Sequence, residues 1–368
     1  MKIKFTIFFL TLTLTCLGQE DDTLLNTQKR KVDFVALPQP SYNDVQGFGF
    51  ALTAGVFYLM NSSDSLSKPS LTLAHGFYSE NNTWVGAVIQ EGFLHNNDYW
   101  FKFIGVKSNW NFQYYQELPF ENNNGAFIQY STSIGYLEYD FLRKVTGDFY
   151  AGIYGKYSSF YTEFKQDNSL NEALPTYSRE AKYHGLGFMM AYDTRNNILK
   201  PSKGFVVDLK VSAFRNKIGS DNNFEILELN MSHYVSVGKS KKHILASKFY
   251  SKIGVNDVPF EEQAIVGMSG TKHNEPRGYT NGRYRGKQMY SLQAEWRYNF
   301  YNKWGIVTFG SVSIVGDDSD MIEENGILPT IGLGIRYLAI PKRNINIGID
   351  AAWGKEDKGI YFSIGEAF

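Results

Sequence analysis

The chain has 368 residues, and its 37 lysines and arginines balance 37 aspartates and glutamates to a formal charge of zero. That balance gives no electrostatic reason to expect a nucleic acid as partner. Aromatic residues make up 16% and there are 34 glycines, yet past the N-terminus no window approaches the roughly 18 apolar residues of a membrane helix.

The first element, "MKIKFTIFFLTLTLTCLGQE", has Lys2 and Lys4 ahead of an apolar run and then small residues before Gln19. This predicts a signal peptide over 1–18. Thr13, Leu14 and Thr15 before Cys16 make a poor lipidation context, so cleavage near Gly18 removes the single cysteine and leaves no thiol chemistry or disulfide. Residues 19–46 follow as a short periplasmic leader, carrying the basic run Gln28 to Lys31 and the prolines Pro38 and Pro40. From Gly47 to Phe368 one pattern continues, and 47–368 is read as one domain.

That pattern has period two. In "PTIGLGIRYL", Ile331, Leu333, Ile335 and Tyr337 alternate with Gly332, Gly334 and Arg336. "GFVVDLKVSA" sets Phe205, Val207, Leu209 and Val211 against Asp208 and Lys210, and "RNINIGIDAAW" sets Ile345, Ile347, Ile349, Ala351 and Trp353 against Asn344, Asn346, Gly348, Asp350 and Ala352. Alternation on this scale means strands. The strands run to about ten residues, with small or charged side chains on the second face, which suits lipid outside and water inside. About sixteen such segments begin near Gly47, Ser70, Thr83, Tyr99, Asn109, Ala126, Phe149, Lys182, Gly204, Phe224, His243, Tyr290, Gly305, Pro329, Asn344 and Gly359. The fold class expected is all-β: a transmembrane antiparallel β-barrel of about sixteen strands, closed so that no edge is left in lipid.

Three segments interrupt or end the pattern. "AYDTRNNILKPSKGFVVDL" reads as a turn over Asp193, Thr194, Arg195, Asn196, Asn197, Pro201 and Gly204, with the asparagines tolerating left-handed backbone and the proline fixing φ. "NEPRGYTNGRYRG", residues 274–286, is a long polar loop with three arginines between two clean strands. The chain finishes "FSIGEAF", where Phe362, Ile364 and Phe368 are expected toward lipid, with Gly365 among them. Elsewhere, Asp317, Asp318, Asp320, Glu323 and Glu324 lack the spacing of a calcium loop, the six histidines lack metal-pair spacing, and "GMSGT" is not a nucleophile elbow. No metal site, cofactor or catalytic residue is read from the sequence.

The order of these pieces resembles the carboxy-terminal barrel of the BamA/TamA family of outer-membrane insertases, the bacterial surface antigen family, most clearly from Ala191 onward. The resemblance implies that the Asp193 to Gly204 segment is a periplasmic turn halfway round the barrel, and that the sixth extracellular loop folds into the lumen. It also implies that Arg277, with Gly278 and Tyr279, locks against an acid on the inner wall, here Glu295. A second wall acid of the family would fall near Ser311 and is missing, so one anion is expected. "FSIGEAF" would be the C-terminal insertion signal. The expected chain is barrel-only, lacking periplasmic polypeptide-transport-associated domains.

The function so implied is not enzymatic: insertion or translocation of outer-membrane proteins or lipids, in the outer membrane of a Gram-negative bacterium, through a seam between first and last strands near Gly47 and Gly359. "GFGFALTAG" has glycines that suit a soft seam and equally suit simple relief of crowding in a barrel wall. Partners would be outer-membrane lipids, client outer-membrane proteins, and periplasmic or lipoprotein partners. A passive or gated channel and an outer-membrane hydrolase are the alternatives; the hydrolase lacks any serine–histidine pair of diagnostic spacing.

Overall fold

The computed structural model describes residues 32–43, 46–61, 64, 66–116, 126–164, 178–238, 242–267, 276–280, 282–317, 321–341 and 344–368. The expected signal peptide over 1–18 and the leader as far as residue 31 lie outside them. Among the described residues sixteen antiparallel strands close into a barrel. They are β1 (Asp33–Asn43), β2 (Gly47–Tyr58), β3 (Ser70–Ser79), β4 (Trp84–Leu94), β5 (Tyr99–Gln116), β6 (Ala126–Thr146), β7 (Phe149–Phe164), β8 (Ser178–Asp193), β9 (Gly204–Phe214), β10 (Phe224–Val237) and β11 (His243–Asn256). After a hairpin of β12 (Ala264–Val266) and β13 (Tyr284–Gly286), the wall resumes with β14 (Gln288–Tyr301), β15 (Trp304–Gly316), β16 (Leu328–Ile340), β17 (Ile345–Gly354) and β18 (Asp357–Ile364).

The two faces separate as the alternation requires. On β16, Ile331, Leu333 and Ile335 are exposed outward while Thr330 and Arg336 are buried inward; on β17, Ile347 and Ile349 point out while Asn346 and Asp350 point in. An apolar outer surface around a polar interior is the reverse of a water-soluble sandwich. No helix among the described residues is long and apolar enough to cross a membrane, which says nothing of strands.

The strand total agrees with expectation through two compensating errors. Asp33–Asn43, assigned to the leader, is the first wall strand and pairs with β2 at eleven successive positions. The strand contains Pro38 and Pro40, and proline is compatible with a strand whose N side faces away from the ladder. The barrel therefore begins at Asp33, not Gly47. Conversely, the segments expected from Tyr99 and Asn109 are one strand, β5, which runs 18 residues because β6 pairs with it throughout, from Tyr99↔Arg143 to Gln116↔Ala126.

The seam moves accordingly. β2, with Gly47, Gly49 and Gly55, is paired on both sides by β1 and β3 and is not a seam strand. Closure is between β1 and β18, where the described residues show one pair, Tyr42↔Ile360, against eight between β17 and β18. The antiparallel order puts the start of β1, the end of β18 and the 193–204 turn at one end of the barrel, here the terminal end. The sixth connection at the opposite, loop end spans residues 257–287.

Candidate functional site

The described residues of the sixth connection, 257–267, 276–280 and 282–287, lie within the lumen and are held on both walls. After β11, the 3-10 turn Phe260–Glu262 meets the inner faces of β6 to β8. Lys156 Nζ donates to Glu262 at 2.5 Å, Ser158 Oγ donates to the same carboxylate at 2.7 Å, and Tyr183 OH donates to Glu261 at 3.0 Å. Burial works against the charged form of Glu262, but Lys156, Lys252 and the two hydrogen bonds outweigh it and hold its carboxyl below the usual carboxylate range. Arg285, on β13, stacks its guanidinium 3.6 Å from the centroid of Phe260 and donates to Tyr130 OH at 3.0 Å. Ala264, Val266 and Tyr279 then bury against Tyr250, Met289, Val315 and Leu328 of the wall, a small apolar core that fixes the loop's path.

The loop tip docks on the other wall. Arg277 donates to Glu295 on β14 and to Asp350 on β17, and its guanidinium lies 3.5 Å from the ring centroid of Phe309 on β15. The Gly278 N–H donates to Tyr361 OH at 2.8 Å, Tyr279 OH donates to Pro329 O at 2.7 Å, and Thr280 N and Oγ1 donate to Asp357 at 2.6 and 3.0 Å. Three of these contacts land on β18 or on the residue that opens it.

Arg277 is one member of a closed ring of alternating charge. Glu295 also accepts from Arg297 at 2.8 Å, and Asp350 accepts both guanidinium nitrogens of Arg336 at 2.5 and 3.1 Å. Glu366 completes the circuit, 3.1 Å from Arg336 and 3.8 Å from Arg297. Three guanidinium groups and three carboxylates, all nearly buried, neutralise one another. Such a ring satisfies the fork geometry of arginine, which can address two acceptors at once. Space for it comes from glycine: a Cβ on Gly334 would stand 1.8 Å from Asp350 Oδ1, and one on Gly348 2.5 Å from Arg336 Nη1.

The structure thus brings Arg277, Gly278, Tyr279 and Glu295 together as expected, and corrects the expected single anion. Where the family's second acid was sought, Ser311 bonds Thr330 at 2.5 Å, while the second carboxylate is Asp350, two strands further along. Sequence reasoning missed Asp350, Arg336, Arg297, Glu366 and Phe309. A signal for Asp350 and Arg336 was present: each is a lone charge on the small-residue face of its strand, and that face points inward.

The chain end is corrected as well. Phe362 and Ile364 lie opposite Ile349 and Ile347 on the outer face, as expected. At Gly365, with φ +82°, the backbone turns inward, so that Glu366 enters the charge ring. Phe368, expected toward lipid, instead packs on Val206, Tyr234 and Ala246 inside the lumen, where its main-chain oxygen accepts from Arg297 at 2.7 Å.

At the same end, Asp193, Thr194, Arg195, Asn196, Asn197, Pro201 and Gly204 form the expected turn by different means. Arg195 binds both oxygens of Asp193, and this ion pair holds the guanidinium above its ordinary range against the opposing effect of burial. Neither asparagine is left-handed. Asn196 Oδ1 accepts from the main-chain N–H groups of Ser202 and Lys203, and Asn197 Oδ1 accepts from those of Leu199 and Lys200. The turn then touches the chain end, since Glu366 N donates to Leu199 O at 3.3 Å. Between these structures the lumen keeps a cavity of about 820 Å³ lined by Lys156, Lys210, Glu138 and Asp208 among others. No cluster of histidine, aspartate and glutamate that could hold a metal occurs among the described residues.

The family model described as the Omp85 superfamily domain matches residues 94–368. No curated protein sequence matches the chain. Among solved structures, it is similar to BamA from Haemophilus ducreyi lacking POTRA domains 1-3, with TM-score 0.55 at 12% identity over 91% of this chain and 71% of that one. It is also similar to CdiB from Acinetobacter baumannii, with TM-score 0.57 at 13% identity over 90% of this chain and 59% of that one. The match to CdiB from Escherichia coli has TM-score 0.58 at 11% identity over 90% and 62%. The chain spans less than two thirds of either CdiB chain. At these identities the likeness is one of fold.

Proposed function

Because the chain belongs to the Omp85 superfamily, we propose that it sits in the outer membrane of a Gram-negative bacterium and assists insertion or translocation of outer-membrane proteins or lipids through the β1–β18 seam. The observation that carries this reading is the seam itself. Fifteen of the barrel's strand junctions are long ladders, while β1 and β18 share the single described pair Tyr42↔Ile360. In hydrocarbon, unpaired main-chain groups are costly, so an edge of this kind captures an incoming strand by hydrogen bonds. Loop six supports the arrangement from inside. By fastening Gly278 to Tyr361 and Thr280 to Asp357, it steadies β18 beside the opening. No covalent chemistry is needed, and the site residues act as a lock: Arg277 on Glu295 and Asp350.

The test is the folding of an unfolded outer-membrane barrel client in liposomes, followed by heat-shifted gel mobility, with empty liposomes, intact protein and Arg277→Ala. Faster folding with intact protein and a reduced effect with Arg277→Ala is the expected result. Equal rates in all three would end the insertase reading. A gated channel, the second reading, draws on the charged 820 Å³ cavity, and steady conductance in planar bilayers without client acceleration would favour it.

A further inference from the structure

The weakness of the seam has a local cause in two residues. In an antiparallel ladder, alternate residues direct both N–H and C=O to one neighbour and the residues between them direct theirs to the other. β1 pairs with β2 without interruption from Asp33↔Phe57 to Asn43↔Gly47, through Pro38↔Leu52 and Pro40↔Phe50. Proline has no N–H, so the residues exchanging hydrogen bonds with β2 through this stretch must be the odd-numbered ones. The main chain of Pro38 and Pro40 therefore faces β18. Tyr42, of the same parity, is the residue that does pair with β18.

Extending the register from Tyr42↔Ile360 sets Pro40 opposite Phe362 and Pro38 opposite Ile364. At both positions the carbonyl of β18 would find a pyrrolidine ring where a ladder supplies a donor. One step further, Gly365 turns the chain into the lumen and Glu366 is committed to the charge ring, so β18 offers nothing beyond Ile364. The two edges are consequently unequal. Across Phe362 and Ile364, β18 presents a full set of donors and acceptors; across Pro40 and Pro38, β1 presents acceptors alone. Pro38 and the outward side chains opposite the two prolines, Leu52 and Phe50, are exposed on the apolar surface, which puts this open stretch in contact with lipid.

We infer that Pro38 and Pro40 hold the seam unzipped and assign strand docking to the β18 edge: an extended polypeptide segment entering the seam pairs with the main chain of Phe362 and Ile364. Hydrocarbon requires those groups to be satisfied, and a peptide strand has the matching alternation of N–H and C=O. The docking half of this inference rests on the insertase reading; the unzipping half does not.

The experiment has two arms, both in full-length Cys16→Ser protein in liposomes. In the first, Gln39→Cys and Ser363→Cys occupy facing positions that do not exchange hydrogen bonds, where side chains approach most closely, and disulfide formation is timed. With the prolines in place the bond forms slowly. With Pro38→Ala and Pro40→Ala added, two donors return and it forms about thirtyfold faster, which corresponds to roughly 2 kcal/mol. Equal rates would overturn the unzipping role, whatever the protein does to clients. In the second arm, the client is an unfolded outer-membrane barrel with one cysteine in its last strand. Cross-linking to the single variant Ser363→Cys in preference to Gln39→Cys is expected. Preference for Gln39→Cys, or no cross-link to either, would overturn the docking assignment, while the folding assay judges the insertase reading separately.

Discussion

Arg277 serves two carboxylates on different strands, so its shape matters as much as its charge. Arg277→Ala leaves Glu295 and Asp350 each one partner short in a buried setting, and a loss of about 3–5 kcal/mol is expected from breaking such a pair. Arg277→Lys keeps the charge but cannot fork between the two acids, and should recover only part of that loss. Urea midpoints of the three proteins in the same lipid decide the matter; full recovery by lysine would reduce the lock to simple charge neutralisation. Gly334→Ala tests the space around the ring. A methyl group there must displace Asp350, at a cost of about 1–3 kcal/mol in the same assay. At this scale the sequence exposed one half of the site. Arg277 and Glu295 were found through a matching motif, while Asp350, Arg336 and Glu366 gather only because β16, β17 and the chain end beyond β18 converge in the lumen. Spacing along a chain carries no trace of that convergence.

Loop six behaves as a strap with two fastenings, each of which pairs a cation with carboxylates: Arg277 with Glu295 and Asp350 at the tip, and Lys156 with Glu262 at the Phe260–Glu262 turn. Because the Glu262 carboxyl is depressed in the folded protein, its contribution is fully present above the ordinary carboxylate range and is lost as pH falls through the depressed value. Limited proteolysis of loop six should therefore show protection at neutral pH and at pH 5, with a step to faster cleavage only below the usual carboxylate range. Glu262→Gln should shrink that step and raise cleavage at neutral pH; an unchanged profile would mean that the Glu262 contacts do not hold the strap. Elements were the most readable level of the sequence. Period-two alternation located β9, β16 and β17 because one face of each meets an apolar surround and the other a polar lumen. It failed at β1 because two prolines look like a break when the edge they face is unknown, and at β5 because a longer partner strand, β6, carries it past the expected span.

For the whole molecule, three features coincide at one place on the barrel wall: a ladder that stops after Tyr42↔Ile360, a last strand that turns inward at Gly365, and a luminal strap tied to Tyr361 and Asp357. The closed all-β barrel and its sixth loop were readable from the pattern of strands and turns, since closure follows from physical necessity in lipid. The position of the seam was not, because it depends on which strand is first. In the proposed function this seam is the working surface. The most direct test keeps both prolines and uses the Cys16→Ser chain with Gln39→Cys and Ser363→Cys, in which prolonged oxidation closes the seam and reductant releases it. Client folding in liposomes should fall to the rate of empty liposomes when the disulfide is formed and recover on reduction. Undiminished acceleration by the oxidised barrel would contradict the account and place the activity elsewhere on the molecule.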